Sequence, residues 1–386
     1  MKLAIIVENF HQNKKYLEYF LALELTNLGH KVYILTFNGK KTFSRIILKE
    51  GFEVVNIPCL VLVHPYHLPT LRGVECLFSF LKVEKPDIIH CQPLGSPLSL
   101  IFTAWKRFFN YKIVGSIQTQ LNLVFSPWGL KKKLLFSLSK FVIANYVKKR
   151  CEILFAKNIE LANLLSRSYS LPIDKFRIIP LGSDPEVFKF DSKARVQLRK
   201  KLGFSETDVV LVYSGKIHSS KGLDVLVRAL APIAIRKDNV KLLIIGKGDP
   251  LFIKYLKTLI SNCEIENNVI FHPWVNSAAL PSFYSASDIG VWSGLSSISI
   301  VDAASTGLPL IIARYPVETF AIENGNGFAF EIGNVGELHK YLELLIYDSK
   351  LREEMGRKSR LLVEQKLNWK KITMQYLNAY NDVLKS

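Results

Sequence analysis

The sequence predicts an α/β protein made of two Rossmann-like, doubly wound units in tandem, and three observations carry that expectation. At 386 residues the chain exceeds what one hydrophobic core ordinarily organises and suits two domains. Its apolar fraction is 49% and its mean hydropathy is +0.17, so the interior should be rich in Leu, Ile and Val. Short β-branched runs alternate with helix-period segments along most of the chain, which is the grammar of an α/β fold.

The elements follow in order. Residues 2–7 read as a buried strand, Lys15–Leu28 as a helix closed by Gly29, and Lys31–Phe37 as a second strand, an opening β-α-β unit. Phe52–Ile57, Asp87–Cys91, Ile113–Ile117 and Cys151–Ala156 are further short strands, the last with its helix after it. The segment Ile179-Pro180-Leu181-Gly182-Ser183-Asp184 ends in turn formers and marks the domain junction. A polar helix, Ser192–Leu202, opens the second half. Strands at Val209–Tyr213, Lys241–Ile245, Val269–Phe271, Ile289–Val291 and Leu310–Ile312 then alternate with helices at Gly222–Ile235 and Phe252–Asn262. Two helices, near Val335–Leu345 and Trp369–Leu384, close the chain. The expected division is therefore 1–183, 184–366 and a terminal helix at 367–386. That helix is expected to return to the first domain, although periodicity alone does not say where it packs.

The net charge of +18 is uneven. Residues 1–185 hold 25 Lys/Arg against 12 Asp/Glu, whereas residues 186–386 hold 26 against 21. No Asp or Glu occurs between Asp87 and Glu152, while ten Lys/Arg do, including Lys131-Lys132-Lys133 and Lys148-Lys149-Arg150 around apolar runs. Such a stretch suits an anionic membrane surface. The alternative is a solvated basic face on an ordinary amphipathic helix. Nothing resembles a nucleic-acid module, so no nucleic-acid partner is expected. Five scattered cysteines without a C-x-x-C pattern argue against a disulfide framework or zinc site and fit a reducing cytoplasm. The apolar start is too short for a signal peptide, and Leu134–Val147, which carries Lys140, falls short of a membrane span.

Two constellations carry chemistry. The strand ending at Ser214 runs into Gly215-Lys216-Ile217-His218-Ser219-Ser220-Lys221-Gly222 and directly into a helix. A glycine turn, two lysines and a helix N-terminus suit an anion, each charge-assisted hydrogen bond to phosphate contributing about 1.5–3 kcal/mol. By itself this motif also fits solvated loop lysines. About 70 residues on, a second strand passes through the small-residue loop Ser293–Ser299 into a helix holding Asp302. This is a second anion cradle, with a carboxylate placed to take a ribose diol. The plain alternative is a helix-dipole carboxylate without a ligand.

The order of these segments resembles the large retaining glycosyltransferase family four, of GT-B fold, in which two Rossmann-like domains face across a cleft. The resemblance lies in Gly215…Lys221-Gly222, in Asp302-Ala303-Ala304-Ser305-Thr306-Gly307-Leu308-Pro309, and in Ile179-Pro180-Leu181-Gly182-Ser183-Asp184…Phe188. Gly246-Lys247-Gly248 and Glu323-Asn324-Gly325-Asn326-Gly327-Phe328 match as well. The first half is similar more loosely, through Leu28-Gly29-His30-Lys31-Val32 and Lys85-Pro86-Asp87-Ile88-Ile89-His90.

The resemblance implies that Lys216, in the place of an arginine, and Lys221 bind the donor diphosphate and act as the catalytic cations, beside Gly215. It implies that Asp302 binds the ribose, that Ser297 and Ile298 approach the distal phosphate, and that Trp274-Val275 receive the nucleobase. His11, His90 and Gln118 are candidates for the acceptor side or the cleft, although a loop or strand-end histidine, His218 included, is more often structural. Three departures stand out. The first glutamate of the family's Glu-x7-Glu motif is Gly294, its usual histidine is Gln118, and its N-terminal glycine pair is replaced by Asn9-Phe10-His11-Gln12-Asn13.

The implied activity is transfer of a hexose, with retention, from a UDP- or GDP-sugar to a lipid-linked or glycan acceptor in surface polysaccharide, glycan or glycolipid assembly. No carboxylate suggests a nucleophile and no D-x-D motif suggests a metal, so front-face departure without metal or cofactor is expected, at the inner face of the cell membrane. Two alternatives stay open: a non-catalytic relative that binds a nucleotide sugar or partners an active transferase, and a GT-B epimerase or phosphorylase.

Overall fold

The computed structural model describes residues 1–386 except 11–15, 38–41, 64–65, 95, 117–147, 296, 315–320 and 323–324. The chain forms two compact units, Met1–Pro180 with Trp369–Ser386, and Leu181–Asn368.

Unit 1 is built on an eight-stranded sheet. Its strands are β1 (Lys2–Val7), β2 (Lys31–Thr36), β3 (Ser44–Ile47), β4 (Glu53–Asn56), β7 (Ile88–Gln92), β8 (Lys112–Ser116), β9 (Ile153–Ala156) and β10 (Phe176–Ile178). A separate hairpin pairs β5 (Cys59–Val63) with β6 (Tyr66–Pro69). The sheet order is β10-β9-β8-β7-β1-β2-β4-β3, parallel throughout except where β3 meets β4. Residues 3–7 of β1 and all of β7 are buried, which is why both read as unbroken apolar runs rather than alternating ones. The chain leaves β1 toward β2 and β4, then returns to place β7 on the other side. The point where strand order reverses is thus between β1 and β7.

The terminal helix Trp369–Lys385 packs within unit 1. Its Trp369 ring stacks on Phe20 at 4.7 Å, and Tyr376 meets Phe155 edge-on at 4.7 Å. This packing corrects one expectation. His90 does not line a ligand site: it is fully buried, with Nδ1 bonded to the Tyr380 hydroxyl at 2.8 Å and Nε2 to Ser116 Oγ at 3.3 Å. Burial lowers its pKa to about 3, so it stays neutral in the core. Asp87 is structural too, its Oδ2 accepting the Lys2 amide at 2.6 Å. His11, Gln118 and most of the basic 131–150 stretch lie outside the described residues. Arg150, inside them, donates to Thr103 O at 2.8 Å. Among the described residues no helix is long and apolar enough to cross a membrane.

Unit 2 holds a six-stranded parallel sheet of β11 (Val209–Ser214), β12 (Val240–Ile245), β13 (Val269–His272), β14 (Ile289–Trp292), β15 (Leu310–Arg314) and β16 (Gly327–Glu331). Its order is β13-β12-β11-β14-β15-β16, with the reversal between β11 and β14. Arg199 is 1% exposed and ties the polar helix Ser192–Leu202 to the sheet through Asp288 Oδ2 (3.3 Å) and the carbonyls of Ala286 and Asp208. Arg360 similarly gathers the carbonyls of Pro185, Phe188 and Ser305, fixing the segment that enters the unit beside the helix Ser299–Ser305.

Candidate functional site

The two constellations found in the sequence meet at the switch point of unit 2, where a doubly wound sheet places its ligands. After β11 the chain is held against the end of β12: Gly215 N donates to Ile245 O at 3.0 Å and Ile217 N to Lys247 O at 3.0 Å. It then makes a single 3-10 turn, Ser219–Lys221, capped by His218, whose Nδ1 accepts from Ser220 N at 3.2 Å. That cap gives His218 a structural role. Gly222 follows at φ +64°, the left-handed region open to glycine, and starts the helix Leu223–Arg236. No side chain caps this helix, so its first-turn N–H groups keep their capacity for an anion.

The loop after β14 lies backbone to backbone on that turn. Leu295 N donates to Ser220 O at 2.9 Å, and Ser293 Oγ to Gly222 O at 2.7 Å. The approach leaves no room for side chains. A Cβ on Gly222 would come within 2.8 Å of the Ser293 carbonyl carbon, and one on Gly294 within 2.6 Å of Ser220 O. Gly294 therefore has a physical reason: a glutamate there would drive the two loops apart.

Around this contact the expected residues take their places. Lys221 is half-buried and donates from Nζ to Leu295 O at 2.8 Å, so its ammonium is held between the loops. Lys216 is exposed, and its side chain makes no hydrogen bond or ion pair among the described residues. Ser297 Oγ and Ser299 Oγ lie 2.6 Å apart, and both donate to Ser214 O, at 3.4 and 2.8 Å, beside Trp292 Nε1 at 3.1 Å. Ile298 immediately precedes the helix Ser299–Ser305. Asp302, in its first turn, accepts from Ser183 Oγ at 2.6 Å. Burial raises the Asp302 carboxyl to about 7, the Ser183 hydrogen bond opposing and the neighbouring Asp184 charge adding to the rise. Trp274 and Val275 follow β13. Trp274 is 56% exposed, with Lys247 Nζ 5.7 Å from its ring centre, and Val275 is half-buried.

The structure thus joins Gly215, Lys221, Ser297 and the backbone of Gly294; Ile298 is next to Ser297 in sequence, and Lys216 stays in solvent. Asp302 stands in the first turn of the helix that follows Ile298, and Trp274–Val275 follow a strand two places from β11 on the same sheet. Sequence reasoning missed the receiving carbonyl of Ser214 and the Ser183 partner of Asp302. Neither has a side-chain pattern that a motif reading detects.

With this geometry in view, comparison with known proteins is decisive about family. The profile for Glycosyl transferases group 1 matches residues 195–362, and that for Glycosyltransferase Family 4 matches residues 19–187. N-acetyl-alpha-D-glucosaminyl L-malate synthase of Bacillus anthracis is 30% identical over 379 residues, covering 95% of this chain and 92% of that protein. D-inositol 3-phosphate glycosyltransferase of Xylanimonas cellulosilytica is 26% identical over 244 residues, 61% of this chain. That match spans 58% of the relative's length. In fold, the Anabaena protein HepE, solved in complex with UDP, superposes with a TM-score of 0.79 at 17% identity, covering 99% of this chain and 100% of that one. The chain belongs to glycosyltransferase family four, the glycosyl transferases group 1, and is a glycosyltransferase of GT-B fold.

Proposed function

We propose that the chain moves a hexose, with retention of anomeric configuration, from a UDP- or GDP-sugar bound by unit 2 to a lipid-linked or glycan acceptor bound by unit 1. The observation that carries this reading is the interlock of the 215–222 turn with the 293–299 loop around the Lys221 ammonium. In this reading Lys221, with Lys216 swinging in from solvent, faces the diphosphate together with the first-turn N–H groups of Leu223–Arg236. These groups stabilise charge as it grows on the leaving oxygen. Ser297 and Ile298 approach the distal phosphate, Asp302 exchanges Ser183 for the ribose hydroxyls, and Trp274 and Val275 receive the base.

The anomeric carbon–oxygen bond breaks toward the diphosphate. The acceptor hydroxyl attacks from the same face, and its proton passes to a phosphate oxygen. The lysines supply the positive charge, so turnover should survive chelator treatment. In the same reading the protein works in the cytoplasm, peripheral on the inner face of the cell membrane, and the excess of Lys/Arg in residues 1–185 supports an anionic lipid partner. Sedimentation with vesicles tests that partner: equal partitioning onto neutral and anionic vesicles contradicts it. The transfer reading is tested by screening UDP- and GDP-sugars for acceptor-free hydrolysis, then for transfer to a lipid extract, with the product anomer read by NMR. Inverted product, or conversion of the donor into its epimer, overturns it.

A further inference from the structure

Residues 54–71 contain no Asp, Glu, Lys or Arg, and they include the whole β5–β6 hairpin and its exit into the helix Leu71–Glu84. Strand alternation gives such a hairpin two faces. One is turned into unit 1, with Cys59 and His67 buried on it. Cys59 Sγ donates to Phe37 O at 3.4 Å, and Glu8 Oε2 accepts from His67 N at 3.2 Å and lies 3.1 Å from His67 Nδ1. Glu8 directly follows β1, so these bonds tie the hairpin to the carboxyl end of β1, where a doubly wound sheet takes its ligands.

The other face is left to solvent. Leu60 and Leu68 stand directly opposite each other in the antiparallel register and are 58% and 41% exposed. Leu71, three residues on, is 87% exposed. The backbone holds it there: Thr70 N donates to Pro58 O at 3.0 Å, and Thr70 Oγ1 caps the helix by accepting from Gly73 N at 3.1 Å. A Cβ on Gly73 would run into the Pro58 carbonyl oxygen, so the start of the helix is clamped to the base of the hairpin. Three exposed leucines on one short, charge-free segment differ from the single apolar residues scattered over an ordinary surface.

Charge and side-chain type identify what they meet. Arg72 and Lys82 on the helix, and Lys85 at its end, are exposed. Of the helix's acids, Glu84 is taken up by Lys31 and Arg45, which leaves Glu75. Aliphatic side chains with basic neighbours suit the boundary between acyl chains and anionic headgroups. Protein interfaces are instead anchored mainly by Trp, Tyr and Arg, with Leu under-represented.

We propose that the outward face of the β5–β6 hairpin, with Leu71, is a membrane dock: Leu60, Leu68 and Leu71 enter the acyl boundary of an anionic bilayer, and Arg72 meets its headgroups. This rests on the protein working at an anionic membrane, and it deepens that reading. The dock is apolar as well as basic, lies outside the 131–150 stretch, and brings the lipid surface to the strand ends where unit 1 takes its acceptor.

Sedimentation of the full chain with vesicles of phosphatidylcholine alone, and of an equal mixture with phosphatidylglycerol, tests it. The wild type should bind the mixed vesicles, and high salt should weaken that binding without abolishing it. The double variant Leu60→Ser with Leu68→Ser should lose about tenfold in partitioning, with the thermal midpoint and UDP affinity unchanged. Leu68→Trp should gain fluorescence quenching by brominated phosphatidylcholine in the mixed vesicles over that of the wild type. A double variant that binds like the wild type, or no gain in quenching, overturns the dock and leaves the anionic membrane reading standing. A wild type that binds no vesicle overturns both. A fall in the thermal midpoint of the double variant shows that the folded chain itself covers these leucines. A wild-type dimer that the double variant turns into a monomer, read by light scattering, assigns the face to a second copy. Either result also overturns the dock.

Discussion

Units 1 and 2 are two versions of one topology, and their switch points are finished by different means. In unit 2 the ends of β11 and β14 are closed by main chain: Gly222 and Gly294 admit no side chain, and the Ser214 carbonyl gathers three donors. In unit 1 the ends of β1 and β7 are closed by long polar side chains, Glu8 and Gln92, each keeping a buried oxygen without a partner. Among the described residues, all four such atoms, Glu8 Oε1, Thr26 Oγ1, Gln92 Oε1 and Thr373 Oγ1, belong to unit 1. A backbone cradle suits a ligand part common to many substrates, such as a diphosphate. A side-chain floor suits the part that varies.

The largest expected effect breaks the unit 2 side of this contrast. Lys221→Ala should cut turnover about 100-fold, the usual loss when one preorganised donor to developing charge is removed, with the thermal midpoint little changed. Full turnover would put the diphosphate elsewhere. Next, Gly294→Glu should not restore the motif's first carboxylate to use. It should force the 293–295 loop off the 219–222 turn, destabilising unit 2 by about 1–3 kcal/mol in a denaturant titration and weakening UDP binding. A stable Gly294→Glu protein with unchanged UDP affinity would show that the main-chain interlock is not what shapes this site.

The third prediction separates core from site in unit 1. His90→Leu strands the Tyr380 and Ser116 hydroxyls and should cost about 1–3 kcal/mol of stability while leaving turnover unchanged. The neutral form is held to about pH 3 in the fold against 6.5 in the unfolded chain. The wild type should therefore lose stability as pH falls through 6.5, and the variant should lose less of it. A stable but inactive variant would return His90 to the site.

The smallest effect concerns Asp302. Its carboxyl is raised from 3.8 to about 7, so its contribution to stability is lost as pH rises between those values. Donor affinity should move the other way, rising several-fold through pH 7 as the carboxylate forms, and this dependence should vanish in Asp302→Asn.

Much of this was legible in the sequence, because most strands are buried on both faces and bounded by glycine or polar turns. The turn at Gly215–Gly222 and the Ser293–Ser299 loop were found by motif and spacing, and they do meet. Edge elements were missed: β3 carries exposed Ile46 and Ile47, and β16 is a short half-buried strand, so neither shows a clean period. The β5–β6 hairpin was missed as well, and with it His67. Glu8 directly follows the first buried strand and belongs to no motif. Its meaning depends on an atom 59 residues away in sequence and on another atom that lacks any partner, and neither is a property of local sequence. His90 misled in the opposite direction, since a strand-end histidine looks alike whether it faces solvent or a tyrosine from the terminal helix.

Hydrogen–deuterium exchange of the full chain with and without saturating UDP or GDP tests the division of labour most directly. The account predicts protection confined to the 215–226 and 293–302 segments of unit 2, with the ends of β1 and β7 unchanged. Protection at Glu8 and Gln92 instead, or none at the 215–226 turn, would contradict it.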